Sequence, residues 1–283
     1  SMPTKLSDWG FIEYSPEGLM VRRGTSTPIP AIIPVNEDFC RFLGYYVSEG
    51  YYANNSGKGG SVILTNSDEK LLSDMKLLSE KLFGIIPSLR EVHGLGDSFQ
   101  LRLNSSPLAA MLEKLGSGRI CTEKRIPPII FGLSKPKIAA FLKALYSGDG
   151  SFTLSPSSGN SIRYYSTSKK LVEDVAYLLL AFGIVGRIRS RIPAKGNELW
   201  SLEFKDRQMV ETFLNEIGFV DDKPKMLVRK WAHTTVNSVA FDKQILGKHL
   251  QNYPREYRHL FRFLKCSKNY LKKVANDPRC SVS

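Results

Sequence analysis

The sequence has few residues of the kinds that build disulfide-rich, zinc-binding or membrane proteins. Its cysteines, Cys40, Cys121, Cys266 and Cys280, have no CxxC spacing, so we expect reduced thiols rather than a zinc site or disulfides. Its 4 histidines are scattered and indicate neither a metal cluster nor a catalytic triad. The chain shows no secretory signal and no apolar run long enough to cross a bilayer, so we expect a cytoplasmic or nucleoid-associated protein.

Acidic residues are also scarce relative to basic ones. The 283 residues include 27 Asp and Glu against 40 Lys and Arg, a formal net charge of +13. Such a charge favours a polyanionic partner, most simply nucleic acid. Residues 231–283 alone hold 10 basic and 3 acidic residues. Within them, Phe241–Val274 is amphipathic and predicts a basic helical extension that either binds DNA or braces the core.

The sequence does contain two copies of one helix pattern that ends in an acid. Residues 42–50 (FLGYYVSEG) and 142–150 (LKALYSGDG) are both apolar, and each ends in an acid followed by glycine. Small residues four apart allow two such helices to pack with their backbones close together. These small pairs are Gly44 with Ser48 and Ala144 with Gly148. Close packing would bring Glu49 and Asp149 side by side at one end of the helix pair.

Two carboxylates at neighbouring helix ends predict a metal site. The C-terminus of a helix carries partial negative charge, and crowded carboxylates either hold a proton or bind a cation. Oxygen ligands favour Mg²⁺ or Mn²⁺, so we predict that Glu49 and Asp149 hold one of these ions, while a contribution from Ser48 stays open. Gly50 and Gly150 are predicted to end the helices in the left-handed conformation. The simpler alternative is a buried helix with a solvated terminal acid.

Each copy is followed by the same order of elements, which predicts an internal repeat. The first copy predicts a helix capped by Asn36 or Asp38, a loop after Gly50, a strand at 61–65, and a helix at 68–83 capped by Ser67. Strands at 88–93 and 98–104 and a helix at 107–115 complete it. The second copy predicts helices at 137–149, 169–182 and 206–217, with strands ending at 154 and spanning 162–167, 185–192 and 199–205.

These elements predict an α+β fold built from a pseudo-twofold pair of αββαββ repeats with antiparallel sheets. The expected boundaries are an N-terminal arm at 1–35, a first repeat at 36–132, a second repeat at 133–230 and the basic helical extension at 231–283. Because side chains alternate along a strand, one face of each sheet should be polar and basic. We predict that this face binds DNA through Gln100, Arg102, Asn104, Arg163, Tyr165, Arg187, Arg189, Arg191 and Lys205. For any single strand a solvated face is the simpler interpretation, but several such strands in a basic chain favour DNA.

On these residues the chain resembles the LAGLIDADG homing endonucleases of the single-chain, two-motif type found in inteins and archaeal introns. The resemblance covers roughly residues 36–230 and places Glu49 and Asp149 on the final acids of the motif. It implies a monomeric enzyme whose two sheets form a saddle on a long site in double-stranded DNA. It also implies that divalent metals held by the two acids drive cleavage of both strands.

The family also has a basic residue near each metal site. Lys124, in the segment Lys124–Pro127, matches the lysine of a Lys-x-Ile-Pro segment that precedes the second motif in intein-type members. The resemblance places its counterpart after the second repeat, at Lys223 or Lys225, and favours Lys223. Both lysines are therefore candidates for catalysis alongside the two acids.

Two other classes of protein stay open. The first is a catalytically inactive nucleic-acid binder with the same fold, such as an intron RNA maturase, which would bind RNA, or a transcription regulator. The second is a structural or interaction protein, which the basic strand faces disfavour. Retention of acids at both motif ends favours the endonuclease, and the chain shows no residues that would support protein splicing.

Overall fold

The computed structural model describes residues 11–16, 18–55, 59–92, 98–153, 160–194 and 196–220. Lys223, Lys225 and the predicted extension at 231–283 lie outside these residues. Within them, no helix is both long and apolar enough to cross a membrane.

The described residues form eleven strands and six α-helices, which are arranged as an N-terminal sheet followed by two αββαββ repeats. The N-terminal sheet comprises β1 (Phe11–Ser15), β2 (Gly18–Arg22) and β3 (Ile29–Pro30). The first repeat comprises α1 (Glu37–Glu49), β4 (Gly50–Asn55), β5 (Gly59–Asn66), α2 (Glu69–Phe83), β6 (Ser88–Val92), β7 (Ser98–Leu103) and α3 (Ser106–Lys114). The second comprises α4 (Lys135–Asp149), β8 (Gly150–Thr153), β9 (Ser161–Ser166), α5 (Lys169–Leu180), β10 (Arg187–Arg191), β11 (Leu199–Phe204) and α6 (Arg207–Glu216). The predicted fold class is confirmed.

The two repeats have sheets of the same topology. The strand order is β4-β5-β7-β6 in the first and β8-β9-β11-β10 in the second, and all neighbouring strands are antiparallel. Helices cover one face of each sheet, and the alternate strand residues on that face are therefore buried. Leu101 and Leu103 of β7, and Leu202 and Phe204 of β11, belong to the common core.

Short polar side chains cap five of the six α-helices in the described residues. Asn36 caps α1 by accepting a hydrogen bond from the Phe39 amide at 2.9 Å. The cap of α2 is Asp68, one residue later than predicted, because its carboxylate reaches the amides of Lys70 and Leu71 at 2.8 and 3.3 Å. The residues expected to form a loop after Gly50 instead pair with β5 as strand β4.

Close packing of α1 against α4 confirms the prediction made from the small residues. A methyl group added at Gly44 would overlap the Phe141 carbonyl oxygen and come within 2.8 Å of the Ala144 Cβ. One added at Gly148 would lie 2.5 Å from Ser48 Oγ. The hydroxyl of Ser48 donates to the Gly44 and Tyr45 carbonyls of its own helix, so here Ser48 is a packing residue.

The prediction of left-handed glycines after the two motif helices is wrong. Gly50 has φ −109° and ψ 156°, and Gly150 has φ −91° and ψ 161°, so both are extended and open the strands that follow. These positions need glycine for space, because an added Cβ at either one would collide with the carbonyl oxygen of Tyr46 or Tyr146 in the preceding turn. The chain therefore passes from each motif acid directly into a sheet.

The N-terminal sheet is joined to the first repeat where β7 ends and α3 begins. The amide of Thr27 donates to the Asn104 carbonyl at 3.1 Å, and the Ser105 hydroxyl donates to the Thr27 carbonyl at 2.7 Å. Ser105 also caps α3, so one side chain both starts a helix and holds the N-terminal segment.

Candidate metal centre and nucleic-acid interface

The two motif acids lie together at the end of the α1–α4 pair. Glu49 is the last residue of α1 and Asp149 the last of α4, and both line one cavity of about 980 Å³. The absence of a side chain at Gly148 makes this approach possible, because a Cβ there would lie 2.6 Å from Glu49 Oε1. Both residues are half-buried where they line this cavity.

This environment disfavours the charged form of both carboxylates. Burial raises the pKa of Glu49 from 4.5 to about 7, and a hydrogen bond from Asn66 offsets part of the rise. Burial also raises the pKa of Asp149 from 3.8 to about 7, with a further contribution from the neighbouring charge of Glu49. Two charged carboxylates are costly in this environment, so a cation that binds between them would lower the free energy of the folded protein.

Neutral side chains orient the two carboxylates. The Asn66 side-chain oxygen accepts a hydrogen bond from the Asp68 amide at 2.8 Å, which leaves the Asn66 amide nitrogen to donate to Glu49. The Tyr164 hydroxyl lies 3.5 Å from Asp149 Oδ2, at the long end of hydrogen-bond distances. Asn66 and Tyr164 are not among the residues predicted from the sequence.

The side chain of Lys124 enters the same cavity. It is 5% exposed, and its ammonium donates to the carbonyl oxygens of Tyr46 at 2.9 Å and Gly50 at 2.5 Å. The ammonium also lies 4.2 Å from the centre of the Tyr46 ring, a cation–π contact. Burial lowers the pKa of Lys124 to about 8, although the charge of Asp149 opposes this shift.

The donor set fits a hard divalent cation that keeps part of its hydration shell. Among the described residues no group of three His, Cys, Asp or Glu side chains could hold a metal. Mg²⁺ is commonly bound by one or two carboxylates, with waters and substrate phosphates as its other ligands. Glu49 and Asp149 supply two such carboxylates beside a cavity large enough for a phosphate group.

The polar face of the second sheet consists of rows of side chains that run across its strands. Arg163, Glu203 and Arg187 lie directly opposite one another on β9, β11 and β10, and Tyr165, Ser201 and Arg189 form the next row. Arg191 follows opposite Leu199. Arg187, Arg189 and Arg191 are all exposed, so the structure brings these predicted contact residues onto one face.

Arg163 and Lys205 are not free cations, because both form ion pairs with Glu203. Arg163 Nε donates to Glu203 Oε1 at 2.6 Å, and Lys205 Nζ lies 3.4 Å from the same oxygen. Burial by itself would raise the pKa of Glu203, but the hydrogen bond and charge of Arg163 outweigh it and hold the pKa below its usual value. Glu203 therefore fixes the position of the Arg163 guanidinium in the centre of the face.

The first sheet carries a less charged version of the same face. Gln100 is half-buried, whereas Arg102 and Asn104 are exposed, and Arg102 Nε donates to Asn104 Oδ1 at 2.9 Å. Arg90 of β6 lies directly opposite Gln100 and extends this face.

One of the two missed residues, Asn66, could have been found from the repeat itself. Asn66 and Ser166 occupy equivalent turns, and each accepts a hydrogen bond from the backbone amide of the following helix cap. The sequence signal that the two halves share is a polar residue two positions before each helix cap. No comparable signal exists for Tyr164, because its equivalent in the first repeat is Leu64.

The chain is similar in sequence to short parts of longer known proteins. The replication factor C small subunit of Methanocaldococcus jannaschii is 28% identical over 214 residues, which cover 74% of this chain and 11% of that protein. The DNA polymerase of Thermococcus aggregans is 36% identical over 157 residues, which cover 54% of this chain and 8% of that protein. The chain thus spans only a small part of the length of these curated relatives.

A solved structure shares the fold. The homing endonuclease I-WcaI bound to its DNA recognition sequence has a TM-score of 0.51 at 11% identity, over 69% of this chain and 88% of that chain. A family model described as a LAGLIDADG-like domain matches residues 37–116 and 136–218, which is more than half of the sequence. The chain belongs to this LAGLIDADG family.

Proposed function

We propose that the chain is a site-specific endonuclease that cleaves both strands of DNA with Mg²⁺ or Mn²⁺ held by Glu49 and Asp149. The observation that carries this proposal is the meeting of two carboxylates of raised pKa and a buried lysine in one cavity. Such groups are costly to bury, and a fold that only binds DNA through its sheets has no use for them.

The residues of the cavity match the needs of phosphodiester hydrolysis. A bound divalent ion supplies a water of lowered pKa and neutralises charge on the phosphate. Glu49 and Asp149 hold the ion in place. Lys124, whose pKa is about 8, carries its charge in most molecules at neutral pH, and its ammonium stabilises the negative charge that develops on the phosphate.

The sheets provide the DNA-binding surface of the proposed enzyme. Exposed arginines of the second sheet suit guanine edges or phosphates, while Gln100 and Asn104 of the first suit adenine. Because one chain carries both repeats, a monomer offers a surface to each half of a long site. The DNA-bound state of I-WcaI, which has the same fold, supports this arrangement.

Cleavage of a randomised DNA library with Mg²⁺ tests the proposal, with the wild type and Asp149→Asn compared side by side. We expect discrete double-strand cuts with the wild type and none with the variant. Tight, salt-sensitive binding without cleavage in either Mg²⁺ or Mn²⁺ would overturn the enzyme and support an inactive nucleic-acid binder. Binding of intron RNA in preference to DNA would identify the maturase alternative.

A further inference from the structure

We infer that Asp174 of α5 is a positioning residue that clamps the linker between the repeats and so keeps the Lys124 ammonium in the metal-site cavity. The inference rests on the proposed function in one respect, because it assumes that Lys124 acts on the phosphate. The clamp itself is a property of the protein without DNA or metal.

The linker that carries Lys124 has little regular structure of its own. Between α3 and the 3-10 helix Pro128–Gly132 it contains a single 3-10 turn, Cys121–Glu123. It turns sharply at Gly118, where φ is 77° and an added Cβ would collide with the Glu123 carbonyl. The position of Lys124 therefore depends on contacts with the rest of the protein.

The side chain and the backbone of Lys124 are held by different repeats. The ammonium donates to Tyr46 and Gly50 of the first repeat. The carbonyl of Lys124 accepts a hydrogen bond at 2.7 Å from the Ser168 hydroxyl, which also caps α5 of the second repeat. A shift of the linker relative to α5 would pull the ammonium away from the end of α1.

Asp174 makes three further hydrogen bonds that oppose this shift. Its Oδ2 accepts from Arg125 Nε at 3.0 Å and from the Ile126 amide at 3.3 Å, and its Oδ1 accepts from Arg125 Nη2 at 2.9 Å. The Asp174 side chain is only 12% exposed, and Ile126 is buried. This bidentate, partly buried pair fixes the two residues that directly follow Lys124.

The equivalent acid of the first repeat has a different task. Asp74 occupies the same position in α2, six residues after the helix cap, and its side chain is 16% exposed. It accepts a hydrogen bond from the Tyr45 hydroxyl at 2.8 Å and pairs with Arg41 at 3.2 Å, so it binds the motif helix of its own repeat.

The second repeat lacks the partners for that role. Phe141 and Leu145 stand in α4 where Arg41 and Tyr45 stand in α1, and both are buried apolar side chains. An unpaired carboxylate at Asp174 would be costly at this degree of burial. The linker supplies Arg125 and the Ile126 amide in place of the helix partners, which couples the position of Lys124 to the second repeat.

Acylation of lysines in the protein without metal or DNA tests the clamp directly. The full chain is treated with the N-hydroxysuccinimide ester of acetic acid, and modification of each lysine is followed by mass spectrometry. In the wild type we expect Lys124 to react far more slowly than the exposed Lys169. Asp174→Asn should raise the reactivity of Lys124 by about tenfold, because it weakens the local structure that hides the amine.

Asp74→Asn is the matched control, since it removes a carboxylate of similar burial from the equivalent helix position. It should leave Lys124 protected even if it lowers stability as much as Asp174→Asn does. Arg125→Met, which removes the exposed partner, gives a second test should Asp174→Asn fold poorly. Protection of Lys124 at the wild-type level in Asp174→Asn, or in Arg125→Met in its place, would overturn the inference.

Single-turnover cleavage gives a second readout. Asp174→Asn should lower the cleavage rate by about tenfold or more with little change in DNA affinity, because the lysine is misplaced rather than lost. Combined with Lys124→Met, it should slow cleavage no further than Lys124→Met alone. Multiplicative effects would show that Asp174 acts independently of Lys124. If the wild type cleaves no DNA, the proposed function fails, but the acylation result still decides whether the clamp exists.

Discussion

At the residue scale, the carboxylates of Glu49 and Asp149 make the stability of the folded protein depend on pH. Their pKa values in the folded protein are about 7, well above the ordinary values of 4.5 and 3.8. Between roughly pH 4 and pH 7 the folded state therefore holds more protons than the unfolded state, so stability falls as the pH rises through this window. Above it the full cost of two charged, crowded carboxylates remains unless a cation binds.

We expect Asp149→Asn to stabilise the metal-free protein at pH 8. The substitution removes one of the two charges, and the gain should be on the order of 2 kcal/mol once partial solvent screening in the cavity is allowed for. At pH 4 the same substitution should be nearly neutral. Thermal unfolding between pH 4 and pH 8 in the presence of a chelator measures both effects.

Addition of Mg²⁺ should reverse this order of stability. At pH 8 the ion should raise the melting temperature of the wild type, because it binds the folded state alone, and it should have little effect on Asp149→Asn. Thermal unfolding with and without the ion gives the measurement. Equal shifts in the two proteins would show that Mg²⁺ binds somewhere other than the motif acids.

At the element scale, the α1–α4 pair requires glycine where the backbones meet. We expect Gly44→Ala to destabilise the protein by roughly 2–3 kcal/mol, because the new methyl group meets a backbone carbonyl that cannot move by itself. The higher helix propensity of alanine, worth about 1 kcal/mol, offsets only part of the cost of the overlap. Urea unfolding of Gly44→Ala beside Gly132→Ala, whose added Cβ has no atom within 4 Å, isolates the effect of the contact. Equal unfolding midpoints for the two variants would contradict the close packing.

The polar face of the second sheet should lose selectivity when Glu203 loses its charge. Glu203→Gln frees Arg163 from its ion pair, and a mobile guanidinium can bind any phosphate instead of holding one orientation. Affinity for non-target DNA should rise by about three- to tenfold, and the ratio of target to non-target affinity should fall. Fluorescence anisotropy on both DNAs measures this ratio. Glu173→Gln, which removes the same charge from an exposed pair on α5, should leave the ratio unchanged.

Most elements could be predicted from the sequence because their signals are local. The helix caps Asn36 and Ser168 lie in the sequence next to the patterns that they start, and small residues predicted the close contact of α1 with α4. The extended Gly50 and Gly150 could not be predicted, since the usual preference of glycine for left-handed caps points the other way. The clamp at Asp174 depends on residues 48 and 49 positions away in the chain, and no local pattern reveals such a contact.

At the scale of the whole molecule, the two repeats share one fold but differ in the charge of their sheets. Glu49 and Asp149 repeat with the same role in the fold, but the second sheet has three exposed arginines on β10 where β6 of the first has one, Arg90. Asp74 and Asp174 show the same divergence in the helices. We therefore expect the two halves of a DNA site to contribute unequally to affinity, with a greater electrostatic share from the half bound to the second sheet.

Basic residues of the segment 231–283 should strengthen DNA binding. Lys268, Lys272 and Lys273 lie in the most basic part of the chain, outside the described residues. Their joint replacement by Gln should weaken binding and reduce the slope of log affinity against log salt by up to about 2.7, since each phosphate contact contributes close to 0.9. The matched triple Lys76→Gln, Lys114→Gln and Lys170→Gln changes the net charge equally on exposed helix surfaces and should alter the slope far less.

Binding titrations across a salt series compare the two triples. Equal slopes would show that the residues near the C-terminus act only through net charge, whereas a lower melting temperature with an unchanged slope would identify them as a brace for the core.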